Sequence, residues 1–352
     1  MRLQFAPYML EFKQPAGTSR GTYTEKITCF LRLFDESDPS CYGLGEAAVF
    51  PGLSPEADDR YFYKLMELQA NIRLGIPTDL QRFPSLQFGF EQAIRDFSGG
   101  GNRTFFNSPF LLGEESIEIN GLVWMGDYDT MIERIEEKLA AGFHCIKLKI
   151  GAIDWKKEVD MIEYIRNRYD RSKIEIRVDA NGGFTMDNAL PRLKRLADLD
   201  VHSIEQPIKA GTPALMRFLC ETSPLPIALD EELIGKFTFE EKRQTIEEIR
   251  PAYIVLKPAL IGGFSGAEEW IKLAEETGTG WWITSSLESS VGLDALAQWT
   301  ATLKTKMPQG LGTGALYKNN APEQLRLEGD RLRYHPRTEE LNEWADKLDW
   351  RE

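Results

Sequence analysis

The densest chemistry in the chain is a pair of lysines separated by one leucine, in Cys145-Ile146-Lys147-Leu148-Lys149-Ile150-Gly151. Apolar and charged residues alternate as in a β-strand, and a period of two sends Lys147 and Lys149 to one face. In a sheltered site, repulsion and desolvation both favour losing a proton, which makes one of the pair a base near neutral pH. On an open surface the same pattern is an edge strand guarded by lysines. The short strands that follow bear on the choice. They end Arg177-Val178-Asp179-Ala180-Asn181, Ile204-Glu205-Gln206-Pro207, Ala228-Leu229-Asp230-Glu231 and Val255-Leu256-Lys257-Pro258. Three consecutive strands thus each deliver a carboxylate: Asp179, Glu205 and Asp230. Oxygen ligands from separate elements, with no histidine or thiolate among them, suit Mg²⁺. Taken singly, each acid also suits a helix N-terminus. The chemistry this set supports is proton abstraction beside a carboxylate. A divalent cation stabilises the charge that develops, Lys149 removes the proton, and Lys257 acts from the opposite side as a second acid/base or a fixed cation.

Positioning such residues at strand ends is the habit of a parallel barrel. From residue 117 the chain alternates short strands with helices, the strands falling at 117–124, 144–150, 174–179, 203–205, 227–229, 252–256, 281–285 and 310–312. Met131, Ile135 and Leu139 recur every four residues, as one helix face does, and Gly262-Gly263 breaks the chain before another helix. The predicted fold is α/β, a modified (β/α)8 barrel over 113–317. No dinucleotide fingerprint follows the first strand. Residues 1–112 predict a smaller α+β capping domain, with strands at 3–12 and 23–34 and helices at 59–74 and 85–97. Residues 318–352 are polar, and Trp344 and Trp350 are expected to anchor them back onto that domain.

The composition excludes some partners. A formal net charge of −13 and a pI near 5.0 argue against nucleic acid or an anionic membrane. Cys29, Cys41, Cys145 and Cys220 show no metal-type spacing, so free thiols in a reducing compartment are expected. No apolar run reaches membrane-span length and no signal peptide is evident, so a cytoplasmic location is expected. The oligomeric state stays open.

The motifs resemble the enolase superfamily, in its muconate-lactonizing subgroup, and within it the o-succinylbenzoate synthases of menaquinone biosynthesis. In the barrel the resemblance rests on the strand ends above, together with Gly262-Gly263 and Ser285-Ser286-Leu287-Glu288-Ser289-Ser290. In the cap it rests on Pro15-Ala16-Gly17-Thr18-Ser19-Arg20-Gly21, Gly43-Leu44-Gly45-Glu46-Ala47 and Pro51-Gly52-Leu53-Ser54-Pro55-Glu56. The resemblance implies syn elimination of water from 2-succinyl-6-hydroxy-2,4-cyclohexadiene-1-carboxylate, a small-molecule carboxylate. It makes Lys149 the base and then the acid, with Lys147 holding the carboxylate. It makes Asp179, Glu205 and Asp230 the Mg²⁺ ligands, with Mn²⁺ as a substitute, and sets Glu231 and Asn181 close behind them. Lys257 becomes a cation facing the ring. Arg177, Gly262, Gly263, Thr284, Ser285 and Ser286 line the pocket, and the loop carrying Ser19 and Arg20 closes over it. No histidine stands at a late strand end, which disfavours mandelate-racemase-like chemistry. Gly312-Thr313-Gly314 stands where dipeptide epimerases carry Asp-x-Asp. N-succinylamino acid racemization is the main alternative. A barrel that has lost its chemistry is disfavoured, because all the acids and lysines are present.

Overall fold

The alternating N-terminal segments form an antiparallel sheet of β1 (Arg2–Thr18), β2 (Gly21–Asp35) and β3 (Asp38–Ala47) in that order. The structure is a computed structural model that describes residues 1–18 and 21–352. Two helices, α1 (Arg60–Leu74) and α2 (Pro84–Ser98), cover one sheet face. Leu31, Leu33, Leu65, Leu68 and Leu86 fill the space between. Gly43 and Gly45 are glycines for a packing reason. A Cβ on them would lie 1.9 Å from Ala93 O and 2.0 Å from Gly89 O, so the α2 backbone rests directly on β3.

The next strands are β4 (Ile117–Glu118) and β5 (Gly121–Val123). The single strand expected at 117–124 is therefore split between two partners. Its first half joins a hairpin made much later in the chain, while its second half opens the barrel. From there the chain runs α3 (Tyr128–Ala140), β6 (Cys145–Lys149), α4 (Trp155–Arg166), β7 (Glu175–Asp179), α5 (Met186–Asp198) and β8 (Ser203–Glu205). It continues through α6 (Pro213–Thr222), β9 (Ile227–Leu229), α7 (Phe239–Ile249), β10 (Tyr253–Leu256) and the short α8 (Pro258–Ile261). Then come α9 (Gly263–Thr277), β11 (Gly280–Ile283) and α10 (Ser290–Thr302). Strands β5 to β11 form one curled parallel sheet in chain order.

The eighth strand, expected at 310–312, is reduced to single bridges. Gln309 pairs with Ile119 and Gly310 with Thr284, and these close the ring. Gly310 is pressed against its neighbour, since a Cβ there would lie 2.2 Å from Thr284 Oγ1. The hairpin β12 (Leu325–Glu328) and β13 (Arg331–Tyr334) follows, and α11 (Thr338–Ala345) ends the chain's regular structure. That last helix packs on the face of the N-terminal sheet opposite to α1 and α2. Trp344 sets its ring edge-on against Phe30 (centroids 5.0 Å apart) and Tyr8 (5.6 Å), and Trp350 packs on the same cluster. All four cysteines are free, and no helix among the described residues is long and apolar enough to cross a membrane.

One buried acid couples this packing to pH. Asp294 on α10 is closed off from solvent, with Gln298 Nε2 donating to its Oδ2 at 3.1 Å and no partner for Oδ1. Burial pushes its carboxyl up to about 8, against 3.8 in the unfolded chain. Between those values the folded chain holds a proton that the unfolded chain has released, so rising pH removes stability. Asp294→Asn is expected to stabilise the fold by about 1–3 kcal/mol at pH 8. The gain should shrink toward nothing near pH 4, as read from denaturant midpoints across that range.

Candidate active site

The strand register builds the site. Parallel pairing sets Lys149 opposite Asp179 and Asp179 opposite Glu205, while Asp230 follows β9 immediately. All point into the barrel, and one ligand oxygen from each of Asp179, Glu205 and Asp230 lies within 4.8 Å of the others. Their exposure is 2% or less, so bulk solvent screens them little. None of their side chains makes a helix-capping hydrogen bond, although Asp230 stands at the N-cap position of a short 3-10 turn, Glu231–Leu233. The acids that cap helices here are Asp127 and Asp154, which accept from Thr130 N and from Lys156 N and Lys157 N. Glu205 Oε1 is buried with no hydrogen-bond partner, as expected of an oxygen placed for a cation. The donor set is all carboxylate, which suits a hard divalent ion.

The lysines interleave with the acids. Lys147 is hydrogen-bonded to Glu205 and lies 3.0 Å from Asp179. Lys149 lies 2.6 Å from Asp179 and donates to Asn181 Oδ1 at 2.8 Å. Lys257 lies 2.5 Å from Asp230. Asn181 in turn donates to Glu231 Oε1 at 3.0 Å.

This packing separates the lysines chemically. Burial lowers the pKa of Lys149, and repulsion from Lys147 and Lys257 adds to it, outweighing Asp179. Burial acts on Lys147 too, but Asp179, Glu205 and Asp230 together overcome it and raise the value. Lys257 is also raised, since Asp230, Glu231 and Asp179 outweigh its burial. Burial pushes Glu205 up to about 7, with Asp179 and Asp230 adding to it against the pull of Lys147. Asp179 is held well below the usual carboxylate range, because three lysines outweigh its burial.

These groups open into a cleft of about 670 Å³, part of it continuous with solvent. Lys147, Lys149, Asn181 and Lys257 line one side, and Thr284, Ser285 and Ser286 the other. Phe50 and Leu53 reach in from the N-terminal unit. Three of the expected pocket residues lie elsewhere. Arg177 turns away beneath the site, giving its Nε to Glu175 (2.7 Å) and Nη1 to Pro308 O (2.9 Å) over the Trp282 ring. Its long side chain finds those partners lower in the barrel. Gly262 and Gly263 belong to a seam between units. A Cβ on Gly263 would lie 2.5 Å from Glu91 Oε2, and Glu91 also accepts from Phe264 N at 2.6 Å. Ser19 and Arg20 lie outside the described residues.

Sequence reasoning assigned no role to Lys26, Glu46 or Glu288, all buried behind the neutral wall. Glu288 takes Ser285 Oγ (2.5 Å) and both the N and Oγ of Ser286 (2.8 and 2.7 Å). Lys26 of β2 donates to the carbonyls of Ser286 (3.1 Å) and Leu287 (2.7 Å). Glu46 of β3 accepts from Ser289 N and Gly292 N at the start of α10, where the helix dipole favours an anion. Leu287, forced to φ +62°, is the strained residue these contacts hold in place. Alternation alone places Lys26 and Glu46 in a sheet; only the long-range packing gives them the loop as partner.

Residues 130–337 match the enolase C-terminal domain-like family, and the chain belongs to it. A curated o-succinylbenzoate synthase of Desulfotalea psychrophila is 44% identical over 94% of this chain and 98% of its own. The crystal structure of MenC from that organism superposes with a TM-score of 0.84 at 42% identity, covering 95% of this chain and 99% of the other. An N-succinyl Arg/Lys racemase of Bacillus cereus has the same fold, with a TM-score of 0.80 at 20% identity over 99% of both chains.

Replacing Lys26 by methionine would leave two carbonyls without their donor and take its charge from beside two buried acids, Glu46 and Glu288. A loss of about 2–4 kcal/mol is expected. A melting temperature within 2 °C of the parent, by our estimate of measurement scatter, would remove Lys26 from this role.

Proposed function

We propose that the protein is a cytoplasmic, Mg²⁺-dependent o-succinylbenzoate synthase acting on 2-succinyl-6-hydroxy-2,4-cyclohexadiene-1-carboxylate. The observation that carries this reading is the 44% identity to a synthase over 94% of the chain. Residues 113–317 form the catalytic barrel in this reading, and 1–112 with 318–352 form its cap. Asp179, Glu205 and Asp230 would hold Mg²⁺, which supplies a positive charge for the substrate carboxylate as its oxygens gain electron density.

The chain's own residues do the rest. Lys149, the lysine whose protonation is disfavoured, takes the proton alpha to the carboxylate. It then returns that proton to the departing hydroxyl on the same face, so water leaves and the ring becomes aromatic. Lys147, held protonated by the acids around it, holds the carboxylate in place. Lys257 stays a cation on the opposite face and stabilises the enediolate. Asn181 keeps Lys149 oriented and Glu231 keeps Asn181 oriented.

Two lysines on opposite sides of one cleft also suit N-succinylamino acid racemization, in which one removes a proton and the other delivers one. The assay separates the readings. Loss of the diene absorbance should be fast with Mg²⁺ and stop with chelator. Lys149→Ala should lower it at least 100-fold while leaving the circular dichroism unchanged. A folded, Mg²⁺-binding sample that leaves the diene intact would transfer the assignment to racemization. Glu205→Gln should weaken Mg²⁺ binding, and an unchanged metal titration would take Glu205 out of the ligand set.

A further inference from the structure

The cleft has two unlike halves. Lysines and Asn181, paired to the buried acids, line the side of β6 to β10, whereas hydroxyls and Asn120 line the side of β11, the eighth segment and β5. On that neutral side the hydroxyl hydrogens are already committed. Thr284 Oγ1 donates to Gly310 O at 3.0 Å, and Thr313 Oγ1 donates to Ser285 Oγ at 2.8 Å. Ser285 and Ser286 both donate to Glu288, which as a carboxylate can only accept. A hydroxyl has one hydrogen, so these four have none left for a ligand.

Asn120 differs. It lines the cleft, is 3% exposed, and its Oδ1 has no hydrogen-bond partner. Its Nδ2 is not closed off in the same way and makes no hydrogen bond among the described residues, so the carboxamide's N–H donors are the ones left on this wall for a ligand oxygen. The strand period explains its placement. Asn120, Leu122 and Trp124 alternate along β5 and its flanks, and all three line the cleft. Leu122 is in register with Lys147, so Asn120 sits one pleat deeper, at the floor. Its backbone N–H donates to Gln309 O at 2.9 Å, which holds it there. Beside it the eighth segment presents Gly310 and Gly312, and neither puts a side chain over it.

The geometry points to Asn120 as the specificity residue for the substrate arm remote from the reacting carboxylate. That carboxylate belongs with the acids and lysines. The first strand stands across the ring from the fifth, which carries Asp230, so the remainder of the molecule reaches the neutral wall. The assignment rests on the o-succinylbenzoate reading, in which the Asn120 amide donates to an oxygen of the succinyl arm. The committed hydroxyls act as a frame around that contact.

The test is titration of the Mg²⁺-loaded protein with o-succinylbenzoate, which has the arm, and with benzoate, which lacks it. Asn120→Leu is expected to weaken o-succinylbenzoate roughly 10- to 100-fold and benzoate less than about 2-fold, within the usual scatter. Asn120→Asp has the same shape but no N–H donor, and it sets a carboxylate against the arm. It should weaken o-succinylbenzoate at least as much, and it carries the test where the leucine variant does not fold. Equal loss of both ligands, or no loss of either, overturns the assignment. A wild-type protein that binds Mg²⁺ and benzoate but not o-succinylbenzoate sinks the functional reading instead, and the succinyl contact with it.

Discussion

Three carboxylates and three lysine side chains are held together in the buried interior of this barrel, and each charge there is tolerable only because of the others. Asp179 touches Lys147 and Lys149, Glu205 touches Lys147, and Asp230 touches Lys257. An isolated ion at any of these positions would face a desolvation penalty that no local contact could offset. Because the compensation is unequal, it also separates the groups. Lys149 meets two other cations and one principal anion, whereas Lys147 meets three anions. The same burial therefore yields one lysine inclined to be neutral and another held charged.

That balance depends on register. Parallel pairing sets Lys149, Asp179 and Glu205 in a row across adjacent strands, and a slip of one residue would turn a lysine or an acid outward. The helices outside the barrel serve this alignment. Asp127 and Asp154 cap α3 and α4, and Thr185 and Thr238 form capping boxes on α5 and α7. These are local devices that end each connection where the next strand must begin.

Such locality explains what could be read from the sequence. The alternation in 145–150 and the acids at successive strand ends are short-range patterns, and they identified the barrel and the residues that meet in it. The split of 117–124 was not readable, because the partner of its first half lies two hundred residues later. Neither was the weak eighth strand, where Gly310 sits too close to Thr284 for any side chain. Arg177 alternates with Asp179 and so shares its inward direction. Its length carries the guanidinium down to Glu175 and Pro308, which spacing alone does not show. Gly262 and Gly263 fit a pocket motif, yet Gly263 accommodates Glu91 of α2 at a seam between units, and Gly262 lies against Gly266 of its own helix.

The seam also explains why the barrel alone does not make the cleft. Its charged half comes from strand ends and needs only the barrel. Its neutral wall is the loop from 284 to 289, which contains a leucine in left-handed conformation and ends at a helix N-terminus. Neither feature is stable by itself. Lys26 takes the loop's carbonyls and Glu46 takes the N–H groups at the start of α10, and both side chains belong to the antiparallel sheet. Phe50 and Leu53, just beyond that sheet, complete the enclosure. The reactive groups are therefore positioned by one unit, and the shape that selects what reaches them is imposed by the other across buried, charge-assisted contacts. Substitutions in the cap can then change which molecule is accepted without touching the acids and lysines that would act on it.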